Sequence, residues 1–240
     1  LRATAPSSTR CTWNLKPPLF TFAVSHRLMG RPPRRQLACH VYHVLNRGNG
    51  GAAVFHKPGD YGAFLDLLVE AKAKFLVRVL GFCLMPNHFH VVLQPSTDNA
   101  LSPFMHWWQT THVRRYHRHY GGHGHLWQGR FKSFPVQQDG HLLIVLRYVV
   151  RNPVRAGLAR HTDEWPWSSR RDQSLLDPWP VEVPSNWEQW VETPIFPLEL
   201  AQIRTSVSRQ APFGTLEWQE HTADRLGLRS TLRPPHRPPR

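Results

Sequence analysis

The chain reads Met85-Pro86-Asn87-His88-Phe89-His90-Val91-Val92-Leu93, and this stretch decides the predicted fold. Its apolar residues predict a buried strand that follows a tight turn at Pro86-Asn87. Successive side chains of a strand alternate between its two faces, so His88 and His90 share one face while Phe89 points into the opposite layer. Two imidazoles on a rigid strand supply part of a divalent metal site, and the remaining ligands must come from elsewhere in the chain.

The patterns on both sides of this strand predict an α+β fold. Strands are expected over residues 39–47, 77–84 and 88–94, with a fourth strand or extended arm over 126–136. Helices are expected from Tyr61 to about Lys74, capped by Asp60, over roughly 102–120, and from about 140 to 150 with a break near Pro153. The order strand, helix, strand, strand, helix, strand predicts a ferredoxin-like, RRM-like split βαβ sandwich with an antiparallel sheet and an extra C-terminal helix.

Composition divides the 240 residues into three parts. Residues 1–36 are rich in Pro, Ser, Thr and Arg, and we expect them to be a disordered basic segment. Residues 37–170 are the predicted catalytic domain. Residues 171–240 are predicted to be a proline-rich extension that holds one short helix, from Leu216 to Leu226, and ends in a Pro-Arg tail.

The charge distribution indicates a polyanionic partner. Thirty Lys and Arg against sixteen Asp and Glu give a formal net charge of +14. Residues 1–59 contain no acidic residue, and between residues 99 and 160 Asp139 alone opposes nine Lys or Arg. Nucleic acid is therefore the first candidate partner, and a basic balance that only keeps the protein in solution is the alternative.

The cysteines and the hydropathy pattern exclude several other classes. Three scattered cysteines are too few for a disulfide framework or a cysteine-based zinc site. No apolar stretch reaches the roughly 18 to 20 residues that span a bilayer, so we expect no membrane partner. The expected location is the cytoplasm, in association with the nucleoid.

A second pattern supplies companions for the two histidines, and it reads Arg147-Tyr148-Val149-Val150-Arg151-Asn152-Pro153-Val154. Tyr148 and Asn152 lie four residues apart, so on a helix both project from the same face. A phenol with a pKa near 10 is only about 0.1% ionised at neutral pH and needs help to attack phosphorus. A Mg²⁺ or Mn²⁺ ion held by His88, His90 and the carboxamide oxygen of Asn152 would polarise the scissile phosphate.

Simpler interpretations of these residues stay open. A His-x-His pair on a strand can be purely structural, Tyr148 can be an ordinary half-buried aromatic residue, and Asn152 can simply end a helix. The other tyrosines are rival nucleophiles by residue type. Among these, Tyr116 is the best rival because it lies in the basic run Arg114-Arg115-Tyr116-His117-Arg118.

Several basic and aromatic side chains are predicted to bind the nucleic acid. Arg114, Arg115 and Arg118 would contact phosphates from an exposed helix face, unless that face is merely solvated. Trp127, Arg130 and Lys132 could stack on and clamp an unpaired strand, although Trp127 could equally be a core residue. The set is completed by Arg47, Arg151 and Arg155.

Together these residues resemble the HUH single-tyrosine transposases, specifically the REP-associated tyrosine transposases of bacteria. The resemblance runs from about Tyr42 to Ser169 and rests on the blocks Asn46–Asn49, Cys83–His90, Leu126–Ser133, Arg151–Gly157 and Trp165–Ser169. It implies that Tyr148 is the nucleophile, that His88, His90 and Asn152 are the metal ligands, and that cleavage leaves a 5′-phosphotyrosine and a free 3′-OH on single-stranded DNA. Such a linkage keeps the phosphodiester energy, so rejoining needs no ATP, and the sequence contains no P-loop.

Three functions follow as hypotheses. The first is a transposase, a metal-dependent endonuclease and strand transferase that acts on hairpin-forming single-stranded DNA as a monomer or homodimer. The second is a non-catalytic ferredoxin-like protein that binds hairpin DNA or RNA, since fold alone does not fix function. The third is a metallohydrolase that uses water, with Tyr148 as a bystander.

Overall fold

A computed structural model describes residues 35–233. Four strands, β1 (Val41–Arg47), β2 (Val77–Met85), β3 (His88–Pro95) and β4 (Lys132–Val136), form one antiparallel sheet in the order β2-β3-β1-β4. Helix α1 (Pro58–Lys74) connects β1 to β2, and helix α2 (Leu101–Tyr120) connects β3 to β4. This order and pairing are those of the ferredoxin-like split βαβ sandwich, so the predicted α+β fold is confirmed.

Helices cover both faces of the sheet. Helices α1 and α2 pack on one face, where they bury Phe89, Val91 and other side chains of β3. Helix α3 (Gly140–Val150) packs on the other face, against Val92 of β3 and Phe134 of β4. Because side chains alternate along β3, its two histidines face α3 while Phe89 faces α1 and α2, as predicted.

The chain beyond β4 is more helical than predicted. After α3 come α4 (Asn152–Arg155), α5 (Trp187–Glu192), α6 (Pro197–Arg209), α7 (Leu216–Leu226) and α8 (Arg229–Leu232). Helix α7 lies where it was predicted, but the prediction of a single helix after residue 170 is wrong. Among the missed helices, α5 and α8 are short, and α5 and α6 bury few side chains, Val191 in α5 and Ile203 and Ser206 in α6, so their sequences carry a weak amphipathic pattern. None of the helices in residues 35–233 combines the length and the apolarity that crossing a bilayer requires.

Backbone segments outside the sheet cover both of its edge strands. On the β2 side, the amide of Leu84 donates to the carbonyl of Trp167 (2.8 Å), and the amide of Ser169 donates to that of Phe82 (2.9 Å). On the β4 side, the amide of Phe213 donates to the carbonyl of Pro135 (2.9 Å). The Trp165–Ser169 block therefore closes an edge that would otherwise offer unpaired hydrogen-bonding groups.

Three predicted boundaries require correction. Helix α1 begins at Pro58, and Asp60 lies in its first turn, where its carboxylate accepts from the amides of His56 (2.7 Å) and Lys57 (3.1 Å). The fourth strand begins only at Lys132, because residues 126–131 form a loop. Gln36, which was placed in the disordered segment, is buried and its carbonyl accepts from Asn99 (2.8 Å). Residues 1–34 and 234–240, the rest of the predicted disordered segment and most of the tail, lie outside the described residues.

Gly81 on β2 sets how closely α3 approaches the sheet. A Cβ atom at this position would lie 2.7 Å from Cδ2 of Leu146, a buried residue of α3. The pairing of β2 with β3 also shifts register between Val79 and Gly81. The missing side chain therefore gives α3 the room it needs to lie against the strands.

We expect Gly81→Ala to lower the free energy of unfolding by about 1 to 3 kcal/mol, because the added methyl group forces Leu146 away from its packed position. The matched control is Gly62→Ala in α1, where an added Cβ meets nothing within 4 Å. This change should raise the free energy of unfolding by about 0.5 to 1 kcal/mol, since alanine favours a helix interior. Urea unfolding measures both effects, and a Gly81→Ala protein as stable as wild type would contradict the close packing of α3.

Candidate active site

Strand β3 and helix α3 bring the predicted nucleophile and the histidine pair together. The ring centroids of Tyr148 and His90 lie 5.7 Å apart with the rings at 88°, an edge contact. The ring centroids of His88 and His90 lie 5.1 Å apart. Tyr148 and His90 are buried, whereas His88 is partly exposed at the rim. A single chain thus joins the tyrosine to both histidines.

Asn87 fixes which nitrogen of His88 faces the site. The amide Nδ2 of Asn87 donates to the carbonyl of Gly51 (3.0 Å), and its Oδ1 lies 2.7 Å from Nδ1 of His88. An amide oxygen can only accept, so Nδ1 of His88 carries the hydrogen. Nε2 of His88 therefore keeps the lone pair that metal ligation uses.

His90 has a partner that sequence reasoning missed. Its Nδ1 lies 2.9 Å from Nε2 of His43, a fully buried residue of β1. A histidine within the apolar run of β1 was the available signal. The sequence does not show that His43 contacts His90, because contacts between residues distant in sequence decide which strand pairs with β1.

Asn152 turns its carboxamide oxygen away from the helix. Its Nδ2 donates to the carbonyls of Tyr148 (3.0 Å) and Val149 (3.2 Å) at the end of α3, so the helix-ending role is present. Its Oδ1 lies 3.4 Å from a guanidinium nitrogen of Arg155. Within residues 35–233 no hydrogen bond joins Asn152 to either histidine of β3, and its place as a third ligand stays a prediction.

The three candidate ligands carry atom types that bind divalent cations. One polar atom of each has a partner, namely Asn87, His43 or the carbonyls of α3. The second ring nitrogens of the histidines and the carboxamide oxygen, which accepts from Arg155 at 3.4 Å, are of types found among metal ligands. Across the described range no three His, Cys, Asp or Glu side chains form a metal-binding group, and Asn152 stays the predicted third ligand.

Burial keeps the imidazoles of this cluster neutral. Burial, with Arg47 and Arg155 nearby, lowers the pKa of His88 to about 4. Burial lowers the pKa of His43 to about 3, and burial together with the neighbouring His43, His88 and Arg155 holds the pKa of His90 well below its usual value. Neutral imidazole is the form that binds metal ions.

Exposed basic side chains flank the cluster. The guanidinium carbon of Arg155 lies 4.9 Å from the centroid of the Tyr148 ring. Arg47 is paired with His88 in the β1–β3 ladder and is exposed. The loop that carries exposed Arg130 adjoins the end of β1, because the amide of Gln128 donates to the carbonyl of Arg47 (2.8 Å), and exposed Lys132 follows at the start of β4. These cations could hold phosphates next to Tyr148.

The remaining predicted DNA contacts do not converge on this cluster. Arg114, Arg115 and Arg118 are exposed, but α2 lies on the opposite face of the sheet from Tyr148. Arg151 is buried and donates to the carbonyl of Val191 (2.8 Å), and Trp127 is a buried core residue. Both side chains therefore have packing roles, and Trp127 also lines a cavity together with Arg130, so its predicted contact with DNA stays a prediction.

The rival tyrosines lie elsewhere. In the described part of the chain, Tyr42, Tyr61, Tyr116 and Tyr120 make no ring contact with His88 or His90. The hydroxyl of Tyr116, the best rival, lies 2.8 Å from Nε2 of His56. Tyr148 is thus the tyrosine that this geometry favours as a nucleophile.

Known proteins match the same part of the chain. Residues 37–152 match the sequence family described as transposase IS200 like. A Haemophilus influenzae protein (strain Rd) with the provisional name REP-associated tyrosine transposase is 26% identical over 102 residues, which span 38% of this chain and 58% of that protein. A solved structure of a REP-associated tyrosine transposase bound to a REP hairpin aligns with a TM-score of 0.48 and 17% identity, over 72% of this chain and 95% of the other.

The buried histidines should make stability depend on pH. The pKa of His88 falls from 6.5 in the unfolded chain to about 4 in the folded one. Between these values the unfolded chain binds a proton at His88 that the folded chain does not. The contribution of neutral His88 to the free energy of unfolding is therefore complete above pH 6.5 and is lost as the pH falls toward 4.

The test compares wild type with His88→Gln by guanidinium chloride unfolding at several pH values within this window. Glutamine does not titrate, so the variant should lose stability less steeply than wild type as the pH falls. Identical slopes for the two proteins would show that His88 titrates normally in the folded state.

Proposed function

We propose that the protein is a transposase that cleaves and rejoins hairpin-forming single-stranded DNA, and the match of residues 37–152 to the sequence family described as transposase IS200 like supports this proposal. The observation that carries this proposal is the contact of Tyr148 with His90, at 5.7 Å between ring centroids. The name of the Haemophilus influenzae relative supports REP-associated DNA as the substrate class. The chain spans 58% of that relative's length, so the activity of the whole relative is a proposal for this chain.

Tyr148 is the proposed nucleophile. Its phenolic oxygen forms a bond to phosphorus while the bond from phosphorus to the 3′ oxygen breaks, and the departing 3′ oxygen takes up the phenol proton. The products are a 5′-phosphotyrosine and a free 3′-OH. Rejoining reverses these changes, with a 3′-OH attacking the phosphotyrosine and Tyr148 leaving. The number of phosphoester bonds stays constant, so no ATP is consumed.

The proposed cofactor is Mg²⁺ or Mn²⁺, held by Nε2 of His88, Nε2 of His90 and Oδ1 of Asn152. When bound, such an ion offsets negative charge that grows on the phosphate oxygens. The protein itself positions the groups: β3 fixes the two imidazoles, and α3 holds the phenol against them. Arg155, over the Tyr148 ring, adds positive charge where the phosphate would lie.

The basic surfaces suggest how the DNA binds. Arg47, Arg130, Lys132 and Arg155 surround the proposed site of cleavage and would hold the phosphates nearest to it. Arg114, Arg115 and Arg118 would contact phosphates farther away, on the α2 side. Tyr148 contacts His90 of its own chain, so a monomer could hold the whole proposed site, and a homodimer that exchanges helices is the alternative. The proposed location is the cytoplasm, in association with the nucleoid, where a DNA substrate would be met.

The central prediction is a covalent adduct. Incubation with end-labelled single-stranded hairpin DNA and Mn²⁺ or Mg²⁺ should give a protein–DNA species that survives denaturing electrophoresis. Tyr148→Phe should reduce this species to background, because phenylalanine has no nucleophilic oxygen. Tyr116→Phe is the matched control, and it should form the adduct at the wild-type level.

Other outcomes would assign a different function. Hairpin affinity that falls steeply with salt, without cleavage in either metal, would identify the non-catalytic binding protein. A free 5′-phosphate product without an adduct would identify a hydrolase that uses water. An adduct that persists in Tyr148→Phe would move the nucleophile, and Tyr116 would be tested next.

A further inference from the structure

His43 is a buried polar side chain in the apolar layer between the sheet and α3. It has 0% exposure, and its ring is nearly parallel to that of His90, with centroids 5.0 Å apart and 6° between the planes. Its ring also meets Phe134 at 4.9 Å and Tyr148 at 6.1 Å, in both cases edge-on. An apolar ring could fill this space without the cost of burying polar atoms, so the imidazole needs a separate reason.

The hydrogen bonding of His43 is directed at one residue. Nε2 of His43 lies 2.9 Å from Nδ1 of His90. In the β1–β3 ladder His43 faces Val92, and Leu45 faces His90, so the two imidazoles are diagonal neighbours on the same face. Within residues 35–233 the other nitrogen of His43 has no partner. The polar function of this side chain therefore acts through His90.

Resting on the proposed function, we propose that His43 is a positioning residue that accepts a hydrogen bond from Nδ1–H of His90. A neutral imidazole has a single N–H group, so a hydrogen on Nδ1 leaves the lone pair on Nε2. His90 then presents Nε2 to a divalent cation. In the reverse arrangement Nε2–H of His43 would donate to Nδ1 of His90. His90 would then carry its hydrogen on Nε2, and this nitrogen could not bind the cation.

The same device acts on both histidines of β3, with different supports. Asn87 orients His88 from the turn before β3 and is itself held by the carbonyl of Gly51. His43 orients His90 from β1, which is an inner strand of the sheet between β3 and β4. An acceptor on an inner strand is held on both sides by ladder hydrogen bonds, so the buried His90 is fixed more rigidly than a loop residue could fix it.

Two substitutions separate hydrogen bonding from packing. His43→Gln places an amide oxygen at the same reach as Nε2 and keeps an acceptor for His90. His43→Phe keeps an aromatic ring and removes the acceptor. The control is Phe134→Leu, which disturbs the packing around His43 and leaves the hydrogen bond in place. Thermal unfolding reports whether each variant is folded.

Two measurements on the full chain test the role of His43. Nitrogen-15 NMR of the metal-free protein shows which nitrogen of His90 carries the hydrogen, and Mn²⁺ titration followed by electron paramagnetic resonance gives the metal affinity. We expect the hydrogen on Nδ1 in wild type and His43→Gln. We expect Mn²⁺ affinity to fall about 10- to 100-fold in His43→Phe and to stay near wild type in His43→Gln and Phe134→Leu.

Either of two results would overturn the proposal. One is a wild-type His90 with its hydrogen on Nε2 in the metal-free protein. The other is an equal loss of Mn²⁺ affinity in His43→Gln, His43→Phe and Phe134→Leu, which is what a purely structural role produces. If His43→Phe does not fold, the wild-type spectrum and the His43→Gln affinity still decide the question.

The role of His43 and the transposase activity can fail independently of each other. Neither measurement uses DNA, so a protein that forms no adduct yet shows these shifts keeps the role of His43 and loses the transposase proposal. A protein that forms the adduct while His43→Phe binds Mn²⁺ normally keeps the transposase proposal and loses the role of His43.

Discussion

The packing of α3 between the sheet and the C-terminal helices is the constraint on which the site depends. On the inner side, Gly81 leaves room for Leu146 to lie against the strands. On the outer side, the buried guanidinium of Arg147 donates to backbone carbonyls that follow α5, and it stacks over Trp190 at 4.5 Å. The next residue along the helix is Tyr148. Its distance from His90 is therefore set by two packed layers, and the C-terminal helices act on the site without contributing a group to it.

The neutral and the charged groups of the site differ in their exposure to solvent. His43 and His90 are buried and His88 is partly exposed, and all three imidazoles are held neutral, so they do not repel a cation. The permanent charges, on Arg47 and Arg155, remain exposed at the rim and still act on His88. A phosphate that neutralises these arginines would also lower the repulsion between them and a bound cation. Metal and DNA should therefore favour each other's binding.

Local periodicity allowed the sequence to predict the inner parts of this site, and long-range contacts explain what it missed. Alternation along a strand was enough to place His88 and His90 on one face, and the spacing of four did the same for Tyr148 and Asn152. The role of His43 depends on the pairing of β1 with β3, which no local pattern specifies. Trp127 illustrates the same limit, because stacking on a base and packing in a core require the same aromatic side chain.

The Asn-Pro pair after α3 shows how a short local sequence can orient a functional group. Proline lacks a backbone N–H, so Pro153 cannot donate to the carbonyl four residues earlier, that of Val149. The side chain of Asn152 donates to this carbonyl instead, at 3.2 Å. That bond fixes the amide nitrogen against the helix, and the carboxamide oxygen must then point outward. Asn152 thus ends the helix and turns its oxygen outward through the same contact, so its structural role is compatible with the proposed role as a metal ligand.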